Sequence, residues 1–243
     1  MQAWGMTEPG MVRTQNQDDY RIVKLNRDQL LVMVCDGMGG ARSGNIASSM
    51  AVDVFTGEVK RTARANMKQE RIDAMLCAAL ELANKAVNEQ SRLSEEYQGM
   101  GTTLVAAFFQ KDHVTVANVG DSRAYLFDES GVRRITTDHS LVELMVQRGE
   151  LSREAAKNHP GKNLITRAVG TESAVECDLY HLELNRGDSV LLCSDGLSNL
   201  LSDQELLFEV AHGVRKSDCC QRLMSIANYR GSPDNVTIAL VCV

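Results

Sequence analysis

Two apolar runs of strand length in this sequence each lead into an Asp-Gly pair. Residues 30–35 precede Asp36-Gly37, and residues 188–193 precede Asp195-Gly196. The first of them is a continuous apolar run, which is typical of a strand that is buried on both faces. An Asp-Gly pair after a strand is most often a tight turn, so neither pair indicates a function by itself. The two runs therefore predict strands in the interior of a layered fold.

The rest of the chain alternates between strand-like and helix-like blocks. Residues 20–25 form the first strand candidate, and apolar side chains then recur at helical spacing from Ser43 to Phe55 and from Ile72 to Val87. Blocks of strands that alternate with paired helices predict helices layered on the outside of antiparallel sheets. The other predicted strands span residues 102–109, 113–120, 124–128 and 235–243, and the other predicted helices span residues 140–149, 152–157, 203–211 and 218–227.

Length and composition favour one globular domain. A chain of 243 residues with 44% hydrophobic and 24% charged residues can bury a substantial core. No Ser/Gly-rich spacer marks a domain linker. We therefore expect residues 1–243 to form a single domain, with a mobile flap at residues 140–170.

The charge and the apolar runs exclude some partners. A net charge of −6 provides no global positive field to attract nucleic acid. No apolar stretch approaches the roughly 20 residues that a membrane-spanning helix needs, and the N-terminus lacks the layout of a signal peptide. Seven scattered cysteines, an odd number, fit reduced thiols better than a disulfide framework. We expect a cytoplasmic protein, a monomer, with no nucleic-acid or membrane partner.

Four aspartates share one kind of position next to the predicted strands. Asp18 precedes a strand, Asp36 and Asp195 follow apolar strands, and Asp234 lies just before the last strand. Carboxylates gathered at one edge of a layered fold repel one another unless cations separate them, and oxygen ligands suit magnesium or manganese. Two such ions can activate water near neutral pH and hold a phosphoryl group for in-line attack. The set predicts a two-metal hydrolytic site.

The order and the flanks of these motifs resemble those of the type 2C, metal-dependent protein phosphatase (PPM) family in its compact bacterial form. The resemblance covers nearly the whole chain. It rests on Arg13-Thr14-Gln15-Asn16-Gln17-Asp18, Asp36-Gly37-Met38-Gly39-Gly40, Gly44 with Ala47-Ser48, Met100-Gly101-Thr102-Thr103, Gly120-Asp121-Ser122-Arg123, Asp138-His139-Ser140, Ser194-Asp195-Gly196-Leu197 and Asp234-Asn235-Val236-Thr237.

The resemblance implies an α+β fold, a four-layer αββα sandwich in which two central antiparallel sheets are flanked by helix pairs. It also implies two divalent cations, Mn²⁺ or Mg²⁺, in a cleft at one end of the sandwich, and a weaker third ion. By analogy, Asp36 bridges two cations and the carbonyl of Gly37 is a further ligand. The remaining implied roles are Asp195 and Asp234 as ligands, Asp18 through water, Asp121 with Asp195 at the third ion, and Arg13 on the substrate phosphate.

One position departs from the family pattern. Bacterial relatives often carry a histidine after the DGMGG motif, where it is proposed to protonate the leaving oxygen, but this chain has Ala41. General acid help is worth about a hundredfold to ten-thousandfold in rate. His139 and His159, in or beside the predicted flap, are alternative acids, although an isolated histidine is more often structural.

The resemblance implies hydrolysis of phosphoserine and phosphothreonine in proteins, opposing a bacterial serine/threonine kinase. Phosphorylated proteins would be its partners. Two alternatives remain at this point. A pseudophosphatase would keep the sandwich and only bind phosphoproteins, and a dedicated phosphatase would serve one regulatory partner. The presence of all five metal-type aspartates favours an active enzyme over a pseudophosphatase.

Overall fold

The computed structural model describes residues 1–39, 43–213 and 215–243. Within these ranges the chain forms eleven β-strands and seven α-helices. The strands are β1 (Gln2–Glu8), β2 (Asp18–Lys24), β3 (Gln29–Met38), β4 (Gly101–Thr102), β5 (Leu104–Gln110), β6 (His113–Val119), β7 (Arg123–Asp128), β8 (Gly131–Arg134), β9 (Asp178–Glu183), β10 (Ser189–Cys193) and β11 (Val236–Cys242). The helices are α1 (Gly44–Thr62), α2 (Gln69–Ser91), α3 (Leu141–Gln147), α4 (Arg153–Lys157), α5 (Asp195–Ser198), α6 (Asp203–His212) and α7 (Cys219–Tyr229).

The strands form two sheets whose ladders are all antiparallel. The first sheet has the order β1-β11-β10-β7-β8. The second has the order β2-β3-β5-β6-β9, and the short β4 extends the far end of β3. Strands that are distant in sequence therefore become neighbours, such as β1 with β11 and β6 with β9.

Strand β3 shows how the layers are built from the sequence. Its residues are buried from Gln29 to Cys35, and alternate side chains point to opposite faces of the sheet. One set, which includes Met33, packs with α1 and α2, while the other set, which includes Val32, packs against the first sheet. The prediction of a strand buried on both faces is confirmed.

The helices cover the outer faces of both sheets. Phe55 of α1 and Leu80 of α2 belong to one outer core over the second sheet. Leu206 of α6 and Leu223 of α7 belong to the other outer core, over the first sheet. The order of layers is helix pair, sheet, sheet, helix pair. The predicted α+β, four-layer αββα sandwich is therefore confirmed.

Some predicted boundaries differ from the observed ones. Strand β3 does not end at Cys35 but continues to Met38, because Gly37 and Met38 pair with β4. Asp36 therefore lies inside a strand, not in a turn after it. Strands β1, β8 and β9 were not predicted at all. Their side chains are mostly half-buried or exposed, so they lack the apolar runs that mark interior strands.

The segment predicted to be a flap contains α3 and α4 and returns to the sandwich at its end. The amide of Leu141 donates to the carbonyl of Leu164, and the amide of Thr166 donates to the carbonyl of His139. Val169, at the end of this segment, then forms an isolated β-bridge with Thr102 of β4. In the described residues, no helix combines the length and the apolar character needed to cross a membrane.

Candidate metal centre

Strand ends from both sheets bring the predicted aspartates together. Asp18 is the first residue of β2 and lies directly opposite Asp36 in the register with β3. Asp195 begins α5 immediately after β10, and Asp234 lies just before β11, the neighbour of β10 in the other sheet. The two sheets are joined at this end, because the Thr237 hydroxyl donates to Oδ2 of Asp18 at 2.7 Å.

Two threonines at the end of β4, Thr102 and Thr103, fix the backbone of Asp36. The Asp36 amide donates to Oγ1 of Thr103 at 2.9 Å, and the Thr103 amide donates back to the Asp36 carbonyl at 2.9 Å. The Thr102 hydroxyl donates to the same carbonyl, also at 2.9 Å. These contacts fix the Asp36 backbone, while its side chain is left to interact with the other carboxyl groups.

Asn235 fixes the loop that carries Arg13 and leads into Asp18. Its Oδ1 accepts from the Gln17 amide at 2.8 Å, and its Nδ2 donates to the carbonyls of Pro9 and Gln15. The residue next to it, Asp234, is thereby held beside this loop. Asn235, Thr102, Thr103 and Thr237 lie in the predicted motifs but were not predicted to support the site.

Gly37 allows the backbone beside Asp36 to approach its neighbours closely. A Cβ at this position would lie 2.1 Å from the Gly44 carbonyl oxygen and 2.5 Å from the Gln17 carbonyl oxygen. The Gly37 amide donates to that Gln17 carbonyl at 3.1 Å. A glycine is therefore required for the start of α1 and the loop before β2 to meet at the same point.

Burial and mutual repulsion raise the pKa values of Asp18, Asp36 and Asp195. Burial raises the pKa of Asp36 well above its usual value, and the charges of Asp18, Asp195, Asp121 and Asp234 raise it further. Burial also raises the pKa of Asp18 to about 7, against hydrogen bonds from Thr237 and Ser194. Burial and the Asp234 charge raise the pKa of Asp195. We call the five acidic residues Asp18, Asp36, Asp121, Asp195 and Asp234 the carboxylate cluster.

Asp121 joins the cluster from the loop between β6 and β7. Burial, followed by the charges of Asp195 and Asp138, raises its pKa to about 8. Asp195 is thus the neighbour that Asp121 shares with Asp36. This agrees with the pairing of Asp121 and Asp195 that the family resemblance implies.

The cluster fits divalent cations by its chemistry. Oδ1 of Asp18 is buried and has no hydrogen-bond partner among the described residues, although a buried carboxylate oxygen normally has one. Carboxylate oxygens are the ligands that Mg²⁺ and Mn²⁺ prefer. A cation would offset the repulsion that raises the pKa values, and a water bound to it would supply the missing partner of Asp18.

One member of the cluster is paired with a basic residue. Nη2 of Arg13 lies 3.0 Å from Oδ2 of Asp234. Within the described ranges, no group of three or more His, Cys, Asp or Glu side chains already has the geometry to hold a metal ion. Binding a cation at Asp234 therefore requires this side chain to exchange its Arg13 partner for the ion.

The two histidines considered as acids differ in their surroundings. His139 is buried, and both of its ring nitrogens have polar neighbours: the Gly120 amide at Nδ1 and Asp178 at Nε2. His159 accepts from the Gly161 amide through Nδ1 at 3.0 Å. Ala41, together with Gly40 and Arg42, lies outside the described residues.

Comparison with known proteins identifies the class to which this fold and cluster belong. The family model for protein phosphatase 2C matches residues 12–225. Over 241 residues the chain is 39% identical to the serine/threonine phosphatase stp of Listeria welshimeri, a match that covers 99% of this chain and 95% of the relative. The solved structure of the S. agalactiae serine/threonine phosphatase has a TM-score of 0.92 and 36% identity, over 100% of this chain and 99% of that one.

A further solved structure is the catalytic domain of the serine/threonine protein phosphatase PstP in complex with two manganese ions. It has a TM-score of 0.84 and 30% identity, over 98% of this chain and 96% of that one. The chain therefore belongs to the protein phosphatase 2C family, whose members are metal-dependent hydrolases. Its activity is that of a protein-serine/threonine phosphatase.

Proposed function

We propose that two divalent cations, Mn²⁺ or Mg²⁺, bind in the carboxylate cluster. Asp36 would contribute to both ions, and the Gly37 carbonyl would add a further ligand. Asp195 and Asp234 would hold one ion, and Asp18 would act through water. A weaker third ion would bind between Asp121 and Asp195. The observation that carries this proposal is the convergence of buried carboxyl groups from the ends of both sheets, with Oδ1 of Asp18 left without a partner.

The bound cations would lower the pKa of water and stabilise the charge that develops on the phosphoryl group. The residues of this chain hold the cation ligands in place. Thr102 and Thr103 hold the Asp36 backbone, and Thr237 orients Asp18 across the two sheets. In this assignment no side chain of the chain acts as the nucleophile.

The cation requirement is tested by hydrolysis of a phosphothreonine peptide with a chelator, and after addition of Mn²⁺ or Mg²⁺. We expect chelation to abolish turnover and either cation to restore it, with little hydrolysis of a matched phosphotyrosine peptide. Near-ultraviolet circular dichroism of the chelated protein serves as the folding control. Unchanged turnover in the chelator would contradict the proposal, and a protein that binds cations but hydrolyses neither peptide would favour a phosphoprotein-binding role.

Arg13 is suited to hold the substrate phosphate. Its side chain is 54% exposed, and the contact with Asp234 at 3.0 Å involves only Nη2. The remaining donors of the planar guanidinium can contact two phosphate oxygens at once. Its position beside Asp234 would place the phosphate next to the cations.

Replacing Arg13 by Ala is expected to raise KM for a phosphothreonine peptide by about 10- to 100-fold, because charge-assisted hydrogen bonds contribute about 1.5–3 kcal/mol. Cation affinity, measured by calorimetry, should stay the same or increase, since Asp234 loses a competing partner. Arg21→Ala is the matched control, because Arg21 forms a similarly exposed pair with Asp53 at 2.8 Å. An unchanged KM, or a loss of cation binding that accounts for the whole effect, would exclude the phosphate role.

The finer features of the biological role are also proposals. We propose that the enzyme acts as a cytoplasmic monomer on phosphorylated proteins and opposes a bacterial serine/threonine kinase. The named bacterial serine/threonine phosphatases among its relatives support this assignment. We also propose that residues 1–243 form one domain in which residues 140–170 act as a flap over the substrate. The few backbone contacts that join this segment to the sandwich support that role.

A further inference from the structure

His139 lies between the loop that carries Asp121 and the segment that leads into β9. Its amide donates to the Gly120 carbonyl at 2.9 Å, and the Gly120 amide donates to its Nδ1 at 3.0 Å. The same residue therefore holds both polar groups of Gly120, the immediate neighbour of Asp121. A buried imidazole with this arrangement acts on the Asp121 loop through hydrogen bonds.

The contact with Gly120 determines where the imidazole carries its proton. An N–H group can donate only to a ring nitrogen that bears no hydrogen, so Nδ1 is unprotonated and the neutral ring carries its hydrogen on Nε2. Nε2 lies 3.1 Å from Oδ2 of Asp178, which can accept that hydrogen. A carboxylate that accepts the hydrogen of one ring nitrogen thus leaves the other ring nitrogen as a hydrogen-bond acceptor. This arrangement often orients the histidines of metal sites.

Arg167 makes Asp178 necessary for this tautomer. Nη1 of Arg167 lies 2.6 Å from Oδ1 of Asp178 and 3.2 Å from Nε2 of His139. A guanidinium only donates hydrogen bonds, and an Nε2 that carries hydrogen cannot accept one. The Arg167 hydrogen bond must therefore go to Asp178. Although burial opposes the shift, hydrogen bonds from His139 and Arg167 lower the pKa of Asp178, which keeps it ionised as an acceptor.

The other side of the Asp121 loop is fixed as well. Gly120 has a φ of +103°, and a Cβ there would lie 2.6 Å from Cγ2 of Thr103. The hydroxyls of Thr103 and Ser122 are 2.7 Å apart, and Thr103 also holds the Asp36 backbone. The Asp121 loop is thus held by His139 on one side and, on the other side, by Thr103, which also positions Asp36.

We propose that His139 is a positioning residue for a third divalent cation bound by Asp121 and Asp195. Its neutral Nε2–H tautomer, selected by Asp178, accepts the Gly120 amide hydrogen and keeps the Asp121 carboxylate directed toward Asp195. The proposal rests on the proposed function only in taking Asp121 as a ligand of the weaker ion. It removes His139 from the list of general acids, since its one ring proton is held by Asp178.

The tautomer is measured without any cation, by NMR of the protein labelled with ¹⁵N in histidine. We expect His139 to carry hydrogen on Nε2 and not on Nδ1. In Asp178→Ala, Arg167 is free to donate to Nε2, so the proton should move to Nδ1 and the Gly120 amide should lose its acceptor. A wild-type ring with hydrogen on Nδ1 would overturn the proposal whether or not the cation assignments hold.

Cation binding is measured by calorimetric titration with Mn²⁺. We expect His139→Ala to weaken the weakest binding event by about 10- to 100-fold, the usual cost of losing a group that orients a ligand, with the two tighter events unchanged. His139→Asn, whose Oδ1 replaces Nδ1 as an acceptor, should stay within about threefold of the wild type. Asp178→Ala should behave like His139→Ala although it keeps the histidine.

His159→Ala is the matched control, because His159 also accepts a glycine amide through Nδ1 but from Gly161, outside the Asp121 loop. It should leave all binding events unchanged. Three results would overturn the proposal: no weaker binding event in the wild type, an unchanged weaker event in His139→Ala, or a weaker event in His139→Asn that is as weak as in His139→Ala. If the wild type showed no tighter cation-binding events at all, that result would instead count against the proposed function.

Discussion

Replacing Asp36 by Asn is expected to lower kcat on a phosphothreonine peptide by about a thousandfold or more while raising the melting temperature of the metal-free protein. The activity falls because the proposed bridging carboxylate is lost, and cations at such sites supply several kcal/mol of transition-state stabilisation. The melting temperature rises because burial and the charges of four other acidic residues disfavour an ionised Asp36, and asparagine carries no charge. We expect the free energy of unfolding to increase by about 1 kcal/mol, which corresponds to a rise of about 2–4 °C in the melting temperature.

The stability gain should depend on pH in a defined direction. The pKa of Asp36 is raised in the folded state, so its proton stabilises the metal-free fold below the ordinary value of 3.8, and this stabilisation is lost as the pH rises toward the folded-state pKa. The gain from Asn should therefore be larger at pH 8 than at pH 5. Thermal unfolding with chelator at both values measures it.

Asp28→Asn is the matched control for the same chemical change. Asp28 is an exposed residue in the turn between β2 and β3, and its carboxyl group has no hydrogen-bond or ion-pair partner among the described residues. It should change neither the activity nor the pH dependence of the metal-free melting temperature. If Asp36→Asn kept wild-type turnover, Asp36 would not be a cation ligand. If it destabilised the metal-free protein, the repulsion argument would be wrong.

Replacing Gly37 by Ala is expected to destabilise the protein by about 3 kcal/mol, or about 6–12 °C, and to weaken cation binding at least tenfold. The new methyl group would meet the Gly44 and Gln17 carbonyl oxygens at 2.1 and 2.5 Å. Both are backbone atoms, so no side-chain rotation relieves the overlap. The loop before β2 and the start of α1 must move apart, which displaces Asp18 relative to Asp36.

Gly57→Ala is the same substitution at another position, and it is expected to have the opposite effect on stability. Gly57 lies on the exposed side of α1, and a Cβ there would have no neighbour within 4 Å. Because alanine favours a helix over glycine, we expect this variant to be more stable by about 0.5–1 kcal/mol. Calorimetric melting and Mn²⁺ titration of both variants measure the contrast. Equal effects of the two substitutions would show that the close approach at Gly37 does not matter.

The interior of the fold was predictable because its elements repeat strong local patterns. Strand β3 and helices α1 and α2 are marked by a continuous apolar run and by apolar side chains at helical spacing. Strands β1 and β9 were missed, because they are edge strands whose partners β11 and β6 are far away in the sequence. Their pairing depends on tertiary contacts that local patterns do not encode.

The aspartates of the site were predictable as a set, since each follows or precedes a strand and their order matches the family motifs. The residues that hold them were not. Thr103 acts on Asp36 through its hydroxyl and its amide, and Thr237 reaches Asp18 from the opposite sheet. These roles depend on which strand ends meet, which the sequence pattern does not specify. Their places inside the motifs were the available signal.

The central claim, that cations bind among the carboxylates at the shared end of the two sheets, is tested most directly by anomalous diffraction. Crystals grown with Mn²⁺ and measured at the manganese absorption edge should show two strong peaks, both in contact with oxygen atoms of Asp36. A weaker third peak should lie between Asp121 and Asp195. Enzyme that is active in the same solution but shows no peak beside Asp36, Asp195 or Asp234 would contradict the claim.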